Sequence, residues 1–316
     1  MKRFKPQAIL FLIGMFLSNA VVANSLIDTA MAINIGGLQQ WISIKGTDDS
    51  NPVLLFLHGG PGNSAMGYSD KFTGALQKKF VVVQWDQRGS GKTAELNISP
   101  KSPFVALMES DAIEVIKYLN TRFNKKKIFL MGHSWGGFLG LLIAAHYPEM
   151  LHAYIAISPM VEQLESERVS LRWTIDKAKA DKNNEALGQL ATVKVPFENG
   201  EQLYYHRSWL LHYIGGKKPE KQFVIEWSDK WLQLFNEASA INFFELAPTL
   251  RCPVYFFVGA NDLQTNHNIT ADYFKVLKDE TKKLYVFKNT AHNLPTAQPA
   301  KLQETILKEV LQASNK

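Results

Sequence analysis

Ser134 is the residue whose surroundings most clearly prepare it for chemistry. It is the centre of Gly132-His133-Ser134-Trp135-Gly136, which follows the apolar run KIFLM and opens a second apolar stretch, GGFLGLLIAA. A strand that turns sharply into a helix forces its central residue into a strained conformation, and flanking glycines leave room for the turn. The hydroxyl then stands clear of the backbone at a helix N-terminus, where the dipole and free N–H groups favour developing negative charge. The five letters alone carry little; the order strand, G-x-S-x-G, helix carries much more. The chemistry this suits is nucleophilic attack on a carbonyl.

A serine hydroxyl attacks well only when a base takes its proton. Eight histidines are available. His58 and His133 fall inside glycine loops, His146 ends the helix after the serine, and His152 enters the next strand. His206 and His212 lie in a long helical stretch, and His267 starts a helix. His292, in Asn289-Thr290-Ala291-His292-Asn293, follows the last strand-like run. Loops at the carboxyl ends of parallel strands converge on one site, and partners of a serine on such a turn follow in the order Ser, acid, His. His292 meets both conditions. The same order and a loop position just beyond VYFFVG favour Asp262 as the acid, with Glu162 as its competitor. Gly60, in the HGGPG loop, and Trp135, after the serine, are expected to supply the two oxyanion-binding N–H groups.

Short apolar runs that position these residues are expected as strands over 40–45, 53–58, 80–86, 127–132, 154–158, 254–259 and 283–287. Runs such as VLLFLH, FVVVQW and VYFFVG are almost continuously apolar. Strands buried on both faces read this way, and parallel sheets covered by helices produce them. Helical patterns fall between them, over 71–79, 104–123, 136–146, 271–278 and 300–313. Alternation of this kind predicts an α/β fold with a doubly wound, mostly parallel sheet. Residues 159–246 break the rhythm with helical patterns over 161–180, 183–191, 201–214 and 223–236, and read as a helical cap inserted into a core of 24–158 and 247–316. Trp227, Trp231 and Phe235 are spaced four apart on one helical face, which suits core packing first and pocket lining second.

The first residues have a separate logic. Lys2, Arg3 and Lys5 precede an apolar run of residues 8–17, and Val21-Val22-Ala23 offers small residues for cleavage. That layout predicts an export signal over 1–23 and a mature chain working in the periplasm or outside the cell; against the rival reading, an uncleaved anchor, the apolar span 8–23 is shorter than the roughly 20 residues that cross a bilayer. The chain has 35 Lys plus Arg against 29 Asp plus Glu, a net charge of +6. Removing the three basic residues of the signal lowers it to +3. No basic stripe interleaves with aromatics, so no nucleic-acid partner is expected. Cys252 is the single cysteine, which excludes an internal disulfide and any multi-cysteine metal cluster.

Taken together, HGGPG at 58–62, WDQRGSGKT at 85–93, GHSWGG at 132–137, FVGANDLQT at 257–265 and NTAHNLP at 289–295 resemble the proline iminopeptidase family of α/β-hydrolases. The resemblance runs from about residue 33 to the C-terminus. It implies a serine hydrolase that uses no cofactor and releases N-terminal proline, or a similar small residue, from short peptides. It thins in the cap, where that family binds the substrate's amino group with glutamates beside a motif like W-x-x-W-E; no Glu follows Trp231 here. Glu162, Glu226 and Trp227 are the candidates for substrate binding, with Glu165 and Glu237 behind them. A carboxylesterase or lactonase with the same three residues is the alternative activity. A non-catalytic ligand-binding protein on the same fold is a further one.

Overall fold

The apolar runs assemble into one 8-stranded sheet: β1 (Ile27–Ile35), β2 (Leu38–Gly46), β3 (Val53–Leu57), β4 (Val81–Trp85), β5 (Ile128–His133), β6 (Leu151–Ile157), β7 (Val254–Gly259) and β8 (Lys282–Phe287), in the spatial order β1-β2-β4-β3-β5-β6-β7-β8. The computed structural model describes residue 1 and residues 26–97, 103–278 and 281–312. The expected export signal lies outside these apart from Met1. Among the described residues no helix is long and apolar enough to cross a membrane.

Strands β3 to β8 run parallel, while β1 and β2 add an antiparallel edge. Every residue of β3, β4 and β7 is buried, because helices cover both faces there. The helices are α1 (Asp70–Thr73), α2 (Gly91–Leu96), α3 (Val105–Arg122), α4 (Trp135–His146), α5 (Gln163–Ala180), α6 (Asn184–Leu190), α7 (Gly200–Tyr213), α8 (Lys221–Ser239), α9 (Phe243–Leu246), α10 (His267–Val276), α11 (Leu294–Ala297) and α12 (Pro299–Thr305). Alternation along each strand divides the core. Leu55, Leu57, Val81 and Val83 pack with Val115, Leu119 and Leu139 on one face. Leu54, Phe56 and Val82 pack with Phe72, Leu302 and Ile306 on the other.

Several elements differ from expectation. Strand β1 carries no continuous apolar run; its residues alternate, as an edge strand half open to water does, and pair with β2 across a two-residue turn. Gly36 and Gly37 both have positive φ, +55° and +74°, as such a hairpin turn requires. The helix expected over 71–79 divides at Gly74 into α1 and a 3-10 turn, Leu76–Lys78. The C-terminal helix starts at Pro299 and widens into a π-helical turn over Ile306–Val310.

Between β6 and β7 the chain leaves the sheet for α5 to α9. These helices sit over the carboxyl ends of the parallel strands through specific ties. Trp227 Nε1 of α8 donates to the Pro61 carbonyl at 2.8 Å, and Lys230 Nζ donates to the Gly89 carbonyl at 2.7 Å. Gln163 Nε2 of α5 donates to the Gln264 carbonyl at 2.8 Å.

Candidate active site

The loops that leave the parallel strands hold the groups singled out above. Strand β5 ends at His133, and Ser134 turns the chain with φ +57° and ψ −117° before α4 begins at Trp135. Neither flanking glycine has room for a side chain. A Cβ on Gly132 would lie 2.1 Å from the Gly136 carbonyl oxygen, and one on Gly136 would lie 2.0 Å from that of Leu57. Close packing of α4 against β3 and β5 therefore holds Ser134 in a backbone conformation that costs about 1–3 kcal/mol.

The structure brings Ser134, His292 and Asp262 together. His292 Nε2 is 2.9 Å from Ser134 Oγ, and His292 Nδ1 is 2.9 Å from Asp262 Oδ2. Asp262 is fully buried and accepts further bonds from Gln264 N at 3.0 Å, Thr265 N at 3.2 Å and Thr265 Oγ1 at 3.0 Å. Burial alone would push its carboxyl up, but the charge of His292 and these hydrogen bonds outweigh burial and hold it below the usual carboxylate range. An ionised Asp262 takes the Nδ1 proton of His292 as a hydrogen bond, which leaves the Nε2 lone pair facing the serine hydroxyl. The arrangement can deprotonate Ser134 as it attacks an electrophile.

Two side chains, half-buried His133 and buried Gln87, hold this set in place. His133 Nε2 lies 2.9 Å from the His292 carbonyl oxygen. Burial, reinforced by the charge of His292, pushes His133 down to about 4, so it stays neutral and donates to that carbonyl. Gln87 joins the two glycine loops: its Nε2 donates to the His58 carbonyl at 3.0 Å, and its Oε1 accepts from Trp135 Nε1 at 2.9 Å. Gln87 lies in the DQRGSG segment between two charged residues, Asp86 and Arg88. Those two anchor the segment. Asp86 accepts from Ser64 Oγ and from Lys92 N, and Arg88 makes a paired contact with buried Asp111 at 2.7 and 2.9 Å.

A cavity of about 300 Å³ opens over Ser134. Gly60 borders it, and its amide has no acceptor among the described residues. Trp135 is the first residue of α4, a position whose N–H has no partner within the helix. Leu203, Leu211 and Val224 from the cap line the cavity with Trp227 and Phe235, while Trp231 is buried against Gly62 and Gly89. The aromatic stripe of α8 thus serves both packing and lining.

The candidate glutamates do not reach this cavity. Glu226 is exposed and pairs with Gln222 one turn back, because helix geometry points it away from the face that carries Trp227. Glu162 lies beside Asn242, with Asn242 Nδ2 3.5 Å from its Oε1; burial and then Glu165 raise its pKa. Glu165 pairs with Arg172, and Glu237 accepts from Val105 N at the start of α3. No Asp or Glu borders the cavity among the described residues. The one Arg or Lys that borders it among the described residues is Arg207, which the sequence did not mark because no motif surrounds it.

Known proteins supply an independent comparison. Residues 52–295 match the family described as alpha/beta hydrolase fold. The chain is 28% identical to the probable aminopeptidase YbaC of Bacillus subtilis over 299 residues, covering 87% of this chain and 93% of that protein. It is 23% identical to the proline iminopeptidase of Heyndrickxia coagulans, covering 81% of this chain and 89% of that one. Among solved structures, the proline iminopeptidase of Mycobacterium smegmatis superposes with a TM-score of 0.62 at 17% identity, over 91% of this chain and 99% of that one.

Proposed function

This chain belongs to the α/β-hydrolase fold family, and on that premise we propose that it is a serine hydrolase working through an acyl-enzyme on Ser134. The observation that carries the proposal is the hydrogen-bonded line from Ser134 Oγ through His292 to Asp262, with both contacts at 2.9 Å and the cavity directly above. His292 Nε2 takes the hydroxyl proton as Oγ attacks the substrate carbonyl, and the Gly60 and Trp135 N–H groups receive the oxyanion. The imidazolium, stabilised by Asp262, gives its proton to the leaving group. Water then attacks the acyl ester with His292 again as base, and Ser134 is regenerated.

For the substrate we propose a short peptide with proline or a similar small residue at its N-terminus. The names of the relatives and the motifs quoted above support that reading. A second reading, a carboxylesterase or lactonase, is favoured by one feature: among the described residues no carboxylate borders the cavity to receive a substrate ammonium group. Turnover of a prolyl anilide against a short acyl nitrophenyl ester separates the two. Faster cleavage of the anilide is expected; ester cleavage without anilide cleavage would replace the peptidase reading with the second. Ser134→Ala is expected to lower either activity by several orders of magnitude.

We further propose that the mature protein is exported and begins at Asn24. N-terminal sequencing of protein recovered outside the cytoplasm checks this; an intact Met1 there would contradict it.

A further inference from the structure

Arg207, on α7, borders the cavity over Ser134 and has no part in the steps above. A guanidinium carries five N–H donors in one plane. Three are occupied here: Nη1 donates to Glu167 Oε2 and to His206 Nδ1, both at 2.7 Å, and Nη2 donates to Glu167 Oε1. The remaining two, Nε–H and the second hydrogen of Nη2, lie side by side on one edge and meet no acceptor among the described residues.

The surroundings fix the orientation of that edge. The Glu167 side chain is only 1% exposed and also accepts from Gln163 Nε2 at 2.7 Å. Burial pushes its carboxyl up, but the charge and hydrogen bonds of Arg207 outweigh this and keep it ionised. His206 is buried, pushed down to about 3 mainly by that burial, and so accepts as a neutral ring. Glu167 and His206 thus hold the guanidinium from behind. Two parallel N–H groups at fixed spacing match the two oxygens of a carboxylate, and an apolar cavity strengthens such a pairing. Glu167 already offsets the charge of Arg207, so a phosphate, with its second negative charge, suits this edge less than a carboxylate does, and no second Arg or Lys borders the cavity among the described residues.

We propose that the Nε/Nη2 edge of Arg207 is a carboxylate-binding subsite, so that preferred substrates carry a carboxylate within the reach of the cavity from the scissile carbonyl. This rests on the serine-hydrolase reading for its catalytic consequence, though not for the binding itself. The carboxylate can belong to the leaving amino acid of a dipeptide or to a dicarboxylic acyl group; the chemistry recognised is the same.

The test begins with titration calorimetry of the full-length protein, using hexanoate and hexanamide. Wild type is expected to bind hexanoate about tenfold or more tightly than the amide, the scale of one charge-assisted pair. Equal binding would overturn the proposal. Arg207→Lys keeps a cation opposite Glu167 but loses the planar edge, and the preference is expected to shrink toward unity; full retention would also overturn it. If that variant does not fold, the wild-type comparison decides alone. Kinetics then locate the carboxylate: kcat/KM for a dipeptide against its C-terminal amide, and for a succinyl against a butyryl ester of the same alcohol. A preference in either pair agrees with the subsite, and ratios near one in both contradict it. Failure of the serine-hydrolase reading looks different: no turnover of any substrate and no reaction of Ser134 with a fluorophosphonate, while the calorimetric comparison still stands.

Discussion

At the scale of single residues, Gln87 supports the site from outside the reacting line. It satisfies the His58 carbonyl and the Trp135 indole N–H at once, and so couples the loop carrying Gly60 to the helix carrying the Trp135 amide. Gln87→Leu leaves both groups buried without partners, at about 1–3 kcal/mol each. The expected result is a fall in kcat of about tenfold or more with a smaller change in KM, because the oxyanion donors matter most in the transition state. Unchanged kcat in a folded variant would remove Gln87 from the site. Asp262→Asn is expected to lower kcat by about 10⁴ while the protein stays folded, since an amide cannot hold His292 in the required tautomer. Much of this arrangement is readable along the chain, because Ser134, Asp262 and His292 each follow a strand inside a recognisable loop. Gln87 and Arg207 are not readable in that way. Their partners lie far off in sequence, 48 residues for Trp135 and 40 for Glu167, and helix α7 carries no turn or motif to mark its inward face.

At the scale of elements, α8 is the clasp between cap and sheet. Trp227 and Lys230 bond to Pro61 and Gly89, and Trp231 packs against Gly62 and Gly89. Gly62 has φ +86°, and a Cβ there would lie 2.3 Å from Trp231 Cε2. Gly62→Ala therefore combines backbone strain with overpacking, about 1–3 kcal/mol. A lowered melting temperature together with reduced kcat/KM is expected, since the displaced helix carries Trp227 and Phe235 of the cavity wall. Wild-type values for both would mean that the clasp is loose. The central strands of this fold were legible from their apolar runs. Strands β3, β4 and β7 are buried throughout and almost wholly apolar, and are found within a residue or two, whereas β1 sits at an edge, mixes polar with apolar residues and escapes a search for apolar runs. The α8 stripe was legible as helical, but spacing alone could not divide Trp231, which packs, from Trp227, which lines the cavity.

At the scale of the whole molecule, buried histidines set the response to acid. Burial pushes His133 down to about 4 and His206 to about 3, and it lowers His58 as well. In the unfolded chain these rings titrate near the ordinary value of about 6.5. Between that value and the folded ones, the unfolded chain binds protons that the native fold refuses, so stability falls as pH falls. The contribution is complete above about 6.5 and is lost progressively toward about 4 for His133 and about 3 for His206. Asp262 and Glu167, both held below their ordinary values, add to the loss at the acid end of that window. Calorimetry from pH 7 to pH 4 is expected to show a steadily falling melting temperature, and a flat profile would contradict the buried neutral rings.

The measurement that bears most directly on the account is covalent labelling of the full-length protein with a fluorophosphonate, read by intact mass and peptide mapping. One adduct per chain is expected, on the peptide that carries Ser134, absent from Ser134→Ala and slowed by several orders of magnitude in His292→Ala. Labelling at another residue, or equal labelling of wild type and Ser134→Ala, would contradict the assignment of Ser134 as the nucleophile.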